Sequence, residues 1–271
     1  MSARHPGGSV PPTERRLDAR HGAASVRLVP AADPLARLSR LEGVASAMAA
    51  SRDGIDALLR DRGLRRTAPE LTAESLLRGA HASAVLEGSH SELDAVRRGT
   101  GDGTALASAR VSAELLSLLP TLSRSPLQAL ARLHVLAATG AVTEEDLGRP
   151  RDADAAARLR DLGRLLGAGT TAPALVVAAV VHAEVLAAAP FVSHNGLVAR
   201  AMERLVLVAR GVDEKSLVVP EAGHLGLRRE YESNLRGYRD GGQPGVHSWL
   251  LYAAEAYAAG AEASPLRRAA D

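Results

Sequence analysis

Apolar residues recur at helical spacing along most of the chain. The first run has an apolar residue at every third position and consists of Leu35, Leu38, Leu41 and Val44. The same pattern continues in residues 55–59, 76–86, 108–119, 126–138, 155–166, 172–188, 196–210, 225–238 and 246–261. No stretch shows the strict alternation of a half-buried strand. The pattern therefore predicts an all-α fold.

Glycine and proline punctuate this pattern and predict where helices end. The breaks fall at residues 99–103, Pro120, Gly140, residues 167–171, Gly211 and residues 240–245. Residues 1–32 combine Pro, Gly, Arg and Ser without apolar periodicity, which predicts a flexible tail. We expect one helical domain over residues 33–263, followed by a short tail over 264–271.

Composition and charge exclude several classes of function. The chain has 271 residues and no cysteine, which rules out disulfides, thiolate metal sites and cysteine catalysis. Its formal net charge is only +2, and the basic residues are dispersed, so we expect no nucleic-acid partner. The most apolar stretch, residues 172–189, carries His182 and Glu184 and is typical of a buried helix. We expect a cytoplasmic protein with no membrane partner.

One predicted junction between two helices has the properties of an anion site. A helix ends at Pro190, a short loop follows, and a new helix opens at Gly196. The first backbone N–H groups of a helix lack partners and carry about half a positive charge. Gly196 leaves the backbone accessible to a phosphate, and Arg200, one turn further, adds a forked donor.

This junction resembles the signature of the Fic family of nucleotide transferases. The family pattern is H-P-F-x-[D/E]-G-N-G-R-x-x-R, and residues 189–200 read A-P-F-V-S-H-N-G-L-V-A-R. Five of the nine specified positions match, namely Pro190, Phe191, Asn195, Gly196 and Arg200. The flanking helices and the segment EYESNLRGYRDGG with Trp249 are also similar to the family. The resemblance implies a Fic-like (Fido) helical domain in which Asn195, Gly196 and Arg200 bind nucleotide phosphate.

A second motif lies about a hundred residues upstream. Ser83 to Gly88 reads S-A-V-L-E-G and is similar to the family's inhibitory-helix pattern, [S/T]-x-x-x-E-[G/N]. The resemblance implies an inhibitory helix around residues 75–88, in which Ser83 and Glu87 belong to the motif and Glu87 pairs with Arg200. The alternative is that Glu87 lies on a solvated helix face.

The catalytic half of the Fic signature is missing. The family uses a histidine as general base, an acidic residue to hold a divalent metal, and a first arginine to bind phosphates. Ala189, Ser193 and Leu197 occupy those positions. A methyl group accepts no proton, and a positioned base typically contributes about 10²- to 10⁴-fold. Ser193 is a poor substitute for the carboxylate that Mg²⁺ prefers, so we expect no metal at the motif.

Several other residues allow more than one interpretation. His194 replaces the family's first glycine and is either a relocated base or a locally packed loop histidine. Glu221 and His224 lie three residues apart, but without a visible third ligand a helix start is the favoured interpretation. His182 is interpreted as a core or capping histidine. Tyr231 and Tyr238 with Trp249 are interpreted as C-terminal core.

The family's target-clamping hairpin has little room in this chain. The turn GRPR, residues 148–151, is followed by the helical sequence DADAAARLRDLGRLL. We therefore predict a pseudoenzyme that binds ATP, another nucleotide or another anion and acts through a protein partner that the sequence does not identify. The alternative is a noncanonical AMP (nucleotidyl) transferase, autoinhibited by Glu87 and using His194 as base. A third hypothesis is a helical module without a ligand.

Overall fold

The computed structural model describes residues 33–61 and 69–268, and these residues contain helices and no strand. The predicted tail over residues 1–32 lies outside this range. The helices are α1 (Pro34–Leu38), α2 (Val44–Asp61), α3 (Pro69–Leu86), α4 (Leu93–Arg98), α5 (Gly103–Glu114), α6 (Leu119–Arg124), α7 (Pro126–Ala138), α8 (Ala153–Gly167), α9 (Ala174–Ala188), α10 (Asn195–Ala209), α11 (Pro220–Gly226), α12 (Arg228–Asp240), α13 (Gly242–Glu262) and α14 (Pro265–Arg268), with a 3₁₀ turn at Leu115–Leu118. The all-α prediction is confirmed.

Helix starts follow local rules that are visible in the sequence. Aspartates cap α1, α5 and α8 by accepting a backbone N–H, for example Asp152 from Ala155 at 2.7 Å. Pro120, which we predicted as a break, instead lies in the first turn of α6. A proline fits there because the first N–H groups of a helix have no intrahelical partner, so none is lost.

Helices α9 and α10 form the centre of the core. Nearly every side chain of α9 is buried, and α10 is buried from Gly196 to Val208. A helix that is apolar on all sides must be enclosed by its neighbours. Trp249 of α13 is fully buried and donates from Nε1 to the Ala179 carbonyl at 2.9 Å. Tyr231 is buried as well, so its assignment with Trp249 to the C-terminal core is confirmed.

A buried arginine joins α3 to α10 and α11. Arg204 is 2% exposed, and its Nη1 donates to Glu221 Oε2 at 2.9 Å. Its remaining N–H groups donate to the hydroxyls and carbonyls of Ser75 and Ser216. A Cβ at Gly79 would overlap Arg204 Nη1 and lie 2.9 Å from Glu221 Oε2. Glycine is therefore required where α3 passes this ion pair.

The C-terminal segment differs from our expectation. We predicted a tail from residue 264, but Pro265–Arg268 form helix α14, and Leu266 is 3% exposed. The short helices α4 and α11 were also not predicted over their full length, because a helix of six or seven residues is too short to establish a period. None of the described helices is both long and apolar enough to cross a membrane.

We predict that Gly79→Ala destabilises the protein by about 1 to 3 kcal/mol, the usual range for overpacking a core. The reason is that the added methyl group displaces an arginine and a carboxylate that are both hydrogen-bonded and buried. Gly54→Ala in α2 is the matched control, since a Cβ there meets no atom within 4 Å. Urea unfolding should show a lower midpoint for the first variant only. Equal midpoints would contradict the packing argument.

Candidate functional site

The loop between α9 and α10 adopts an unusual backbone conformation. Ala189 has φ 39° and ψ 60°, and His194 has φ 56° and ψ 19°. Both are left-handed conformations that cost a non-glycine residue roughly 1 to 2 kcal/mol. Such residues persist where the surrounding contacts determine the backbone. We therefore expect side-chain and backbone contacts to hold the loop in this conformation.

Asn195 and Phe191 fix the shape of the loop. The Asn195 amide donates from Nδ2 to the Phe191 carbonyl at 2.9 Å and accepts the Phe191 N–H at 3.0 Å. The Phe191 ring is buried and stacks on His134, with centroids 4.1 Å apart. Arg151 donates its backbone N–H to the Pro190 carbonyl at 2.8 Å. The side chain of Asn195 is thus used to close the loop, and its predicted contact with phosphate stays a prediction.

The two motifs of the sequence meet at Arg200. This side chain is 1% exposed, and its Nη2 donates to Glu87 Oε1 at 2.7 Å. Its Nε donates to Ser83 Oγ at 2.7 Å, its Nη2 also reaches the Ser83 carbonyl, and its Nη1 donates to Tyr231 Oη at 3.2 Å. The contact favours the paired interpretation of Glu87 over a solvated helix face.

The carboxylate of Glu87 lies at the predicted anion site. A Cβ added at Gly196 would overlap Glu87 Oε1 and approach Arg200 Nη2 to 3.1 Å. The carboxylate therefore lies against the backbone of the first turn of α10, where the partial positive charge of the helix is concentrated. An incoming anion has to displace Glu87 or bind beside it.

The three substituted motif positions provide no catalytic group. Ala189 offers a methyl group, and Leu197 is 1% exposed and belongs to the core. Ser193 Oγ lies 2.7 Å from His194 Nδ1, so the serine hydroxyl is engaged by its neighbour. None of these side chains accepts a proton as a strong base or offers a metal ion a carboxylate.

His194 is the one candidate base in the loop. It is half-buried, and burial lowers its pKa, with Glu87 opposing that effect and Arg110 adding to it. A lowered pKa leaves the imidazole neutral near pH 7, which is the form that accepts a proton. His194 therefore stays available as a base, although the contact with Ser193 occupies its Nδ1.

A second histidine beneath the loop was not identified from the sequence. His134 is fully buried, and its Nδ1 accepts the Gly148 N–H at 3.0 Å. Burial lowers the pKa of His134 to about 4, and His194, when it is protonated, contributes in the same direction. The available signal was a histidine within the otherwise apolar stretch of residues 133–138.

Behind Arg200 the core contains a network of histidine, glutamate and tyrosine. Glu203 Oε2 lies 2.9 Å from both His182 Nδ1 and His224 Nε2, and all three side chains are fully buried. Three hydroxyls surround the group: Tyr231 at His182, Tyr252 at His224 and Tyr257 at Glu203. Sequence analysis placed His182 in the core, which is confirmed, but it missed Glu203.

Charge in this network follows from burial and proximity. Burial lowers the pKa of His182 to about 4, against the opposing effect of Glu203. Burial alone would raise the pKa of Glu203, but the two histidines lower it by more, so the carboxyl group stays ionised. Burial also raises the pKa values of Tyr252 and Tyr257, so both hydroxyls keep their protons.

The residues between the GRPR turn and α9 contain α8 and no strand. Glu221 lies in the first turn of helix α11 and His224 in its last turn, and no side chain caps the start of this helix. They do not act together, because Glu221 contacts Arg204 and His224 contacts Glu203.

The fold of the described residues is similar to that of solved Fic structures. No family model matches the chain, and no curated protein matches it. Several solved structures do match the chain. A Fic family protein from Desulfovibrio desulfuricans is similar with a TM-score of 0.65 and 18% identity, over 83% of this chain and 74% of that chain.

The eukaryotic comparison gives the same fold. Residues 134–508 of Fic-1 from C. elegans are similar with a TM-score of 0.61 and 16% identity, over 84% of this chain and 72% of that chain. A point variant of the same segment gives a TM-score of 0.55 at 16% identity, over 83% and 71% of the two chains. The described chain therefore has the Fic fold, which the motif resemblance predicted.

We predict that His134 makes the protein less stable as the pH falls from about 6.5 to about 4. In this window the unfolded chain protonates the histidine while the folded protein keeps it neutral, so unfolding takes up a proton. His134→Gln should reduce the loss of unfolding free energy over this window relative to the parent. Urea unfolding at several pH values measures it, with His90→Gln at an exposed position as control. Parallel profiles for parent and His134→Gln would contradict the assignment.

Proposed function

We propose that this protein binds a nucleotide or another phosphate-bearing anion at the N-terminus of α10 and acts through interactions rather than turnover. One observation carries the proposal: the carboxylate of Glu87 lies against Gly196 and bonds to Arg200. An anion is thus already accommodated at this position, in contact with a buried guanidinium and with the start of a helix.

The absence of the motif's catalytic groups supports ligand binding without catalysis. Fic-type transfer uses a base, an acidic metal ligand and the first arginine of the motif, and the corresponding residues are Ala189, Ser193 and Leu197. Because Leu197 is apolar and lies in the core, Arg200 of α10 is the cation that the motif keeps for binding phosphate. We therefore propose that ATP or a related nucleotide binds weakly and that Mg²⁺ adds little to its affinity.

Glu87 competes with the proposed ligand for this site and so lowers its observed affinity. Its side chain is 32% exposed, so leaving Arg200 for water requires little rearrangement of the protein. A phosphate that takes its place gains the same guanidinium and the same helix terminus. The two anions compete, and the observed affinity is reduced by the fraction of molecules in which Glu87 occupies the site.

The proposed interactions concern an unidentified protein partner in the cytoplasm. Without a hairpin between residues 151 and 174, the chain has no strand there on which a target peptide could align. Docking through main-chain pairing at an exposed strand is therefore not part of the proposal. The partner would instead respond to whether Glu87 or a ligand occupies Arg200. Nucleic acid and membranes are not part of the proposal either.

A second candidate function is nucleotidyl transfer with His194 as the base. The observation that favours it is the contact of 2.7 Å between His194 Nδ1 and Ser193 Oγ, which orients the imidazole within the motif loop. In this mechanism a target hydroxyl gives its proton to His194 and attacks the α-phosphate of ATP, and pyrophosphate leaves.

We predict that Glu87→Gly binds ATP at least about tenfold more tightly than the parent, because removing the competing carboxylate frees the site. Isothermal titration calorimetry with and without Mg²⁺ measures the change. Glu144→Gly, which removes one negative charge at an exposed turn, is the matched control and should leave the affinity unchanged. Equal affinities for the parent and Glu87→Gly would contradict the proposed anion site.

We also predict that neither the parent nor Glu87→Gly transfers label from α-³²P ATP to itself or to lysate proteins, because the site lacks a strong base and a metal ligand. Autoradiography after gel electrophoresis is the measurement. If Glu87→Gly gives a labelled product and the double variant with His194→Ala does not, the pseudoenzyme hypothesis is wrong and the transferase hypothesis is supported. Binding without labelling supports the proposal as stated.

A further inference from the structure

Three side chains from three helices converge in the core behind the motif loop. His182 of α9, Glu203 of α10 and His224 of α11 are each 0% exposed. The two imidazole nitrogens each lie 2.9 Å from the same carboxylate oxygen, Glu203 Oε2, and the three atoms lie within 4.8 Å of one another. We refer to these three residues as the core triad.

Glu203 Oε2 makes a hydrogen-bond contact of 2.9 Å with His224 Nε2, and Glu203 Oε1 accepts from Tyr257. Two further features of the core triad favour an additional positive charge. Glu203 is a buried carboxylate without an arginine, since Arg200 bonds to Glu87 and Arg204 bonds to Glu221. A buried charge is normally paired or coordinated to a metal ion. In addition, His182 Nδ1 makes no well-aligned hydrogen bond, although Glu203 Oε2 is only 2.9 Å away.

The surroundings of the core triad resemble the outer shell of a metal site. His182 Nε2 lies 3.0 Å from Tyr231 Oη, and His224 Nδ1 lies 2.7 Å from Tyr252 Oη. Tyr257 donates to the second oxygen of Glu203 at 2.8 Å. Metal-bound histidines donate their other ring N–H to an outer partner, which fixes the ring and its tautomer. A tyrosine oxygen can accept that hydrogen bond, and the inward nitrogen is then free to coordinate.

We propose that the core triad is a site for a divalent transition metal of the zinc class, bound by His182 Nδ1, His224 Nε2 and Glu203. Imidazole and carboxylate ligands suit such an ion. Metal–ligand distances of about 2.0 to 2.2 Å require ligand atoms about 3.3 Å apart in a tetrahedral site. The two separations of 2.9 Å therefore need to widen by a few tenths of an ångström, and the two nitrogens, which lie within 4.8 Å of each other, have to reach the same spacing.

The proposed ion has a structural function and does not depend on the anion site. It would supply a permanent positive charge to Glu203, which has no arginine partner, and it would crosslink α9, α10 and α11. The guanidinium of Arg200, which contacts Tyr231 at 3.2 Å, opposes a further positive charge. We therefore expect weaker binding than at a zinc-finger site, where thiolates neutralise the ion.

Metal has to enter during folding, because the core triad has no exposed atom. The test is to unfold the full chain in guanidinium chloride with a chelator, remove both, and refold it with or without Zn²⁺. After gel filtration, we expect about one zinc per chain by mass spectrometry and a thermal midpoint raised by about 4 °C or more. Refolding with Co²⁺ should give visible absorption bands from the bound ion that are missing in Glu203→Gln.

Glu203→Gln is the decisive variant, because it keeps the side-chain volume and an oxygen acceptor for Tyr257 but removes the ligand charge. We expect its zinc content to fall at least tenfold. His134→Gln replaces a buried histidine outside the core triad and should retain one zinc. If refolding is not reversible, the metal content of parent and Glu203→Gln purified from zinc-supplemented cells makes the same comparison.

Two results would overturn the proposal. One is equal zinc content in the parent and Glu203→Gln, which would place the ion at surface histidines. The other is a parent that refolds without bound metal and shows no change of midpoint, with ¹⁵N chemical shifts that report protons on His182 Nδ1 and His224 Nε2. The core triad would then be held together by hydrogen bonds alone.

Discussion

The burial of Arg200 is the constraint on which much of this structure depends. Moving a charged group out of water costs several kcal/mol, and the cost is offset only when its N–H groups and its charge find partners. Ser83, Glu87 and Tyr231 provide those partners from α3, from the turn that follows it, and from α12. The same guanidinium thus fixes α3 against α10 and determines the position of the carboxylate at the motif loop.

The other charged residues of α10 extend this arrangement through the core. Glu203 turns towards the two histidines of α9 and α11, while Arg204 turns towards α3 and Glu221. Three contacts within little more than one turn of α10 therefore reach different neighbours. Because each contact is buried and specific, the relative positions of these helices are more restricted than apolar packing alone would require.

Sequence reasoning reached the fold but only part of the site. Periodicity shows which face of a helix is buried, so the all-α architecture followed from it directly. Motif resemblance linked Glu87 to Arg200 across 113 residues, which no local rule could do. Glu203, Arg204 and His134 were missed because a one-dimensional pattern does not reveal which buried polar groups meet in space. The sequence did carry a signal, because after Asn195 helix α10 is apolar except for the charged residues at 200, 203 and 204.

The division of the motif into matching and substituted positions follows the packing of the loop. Phe191 stacks on His134, Asn195 closes the loop, Gly196 admits Glu87, and Arg200 joins two helices. Each matching residue among these has a structural contact that a substitution would break. The substituted positions either face the loop surface or, as at Leu197, fill the core with an apolar side chain. The matches alone are therefore an argument for the fold, and the argument for a ligand rests on the carboxylate of Glu87 at the start of α10.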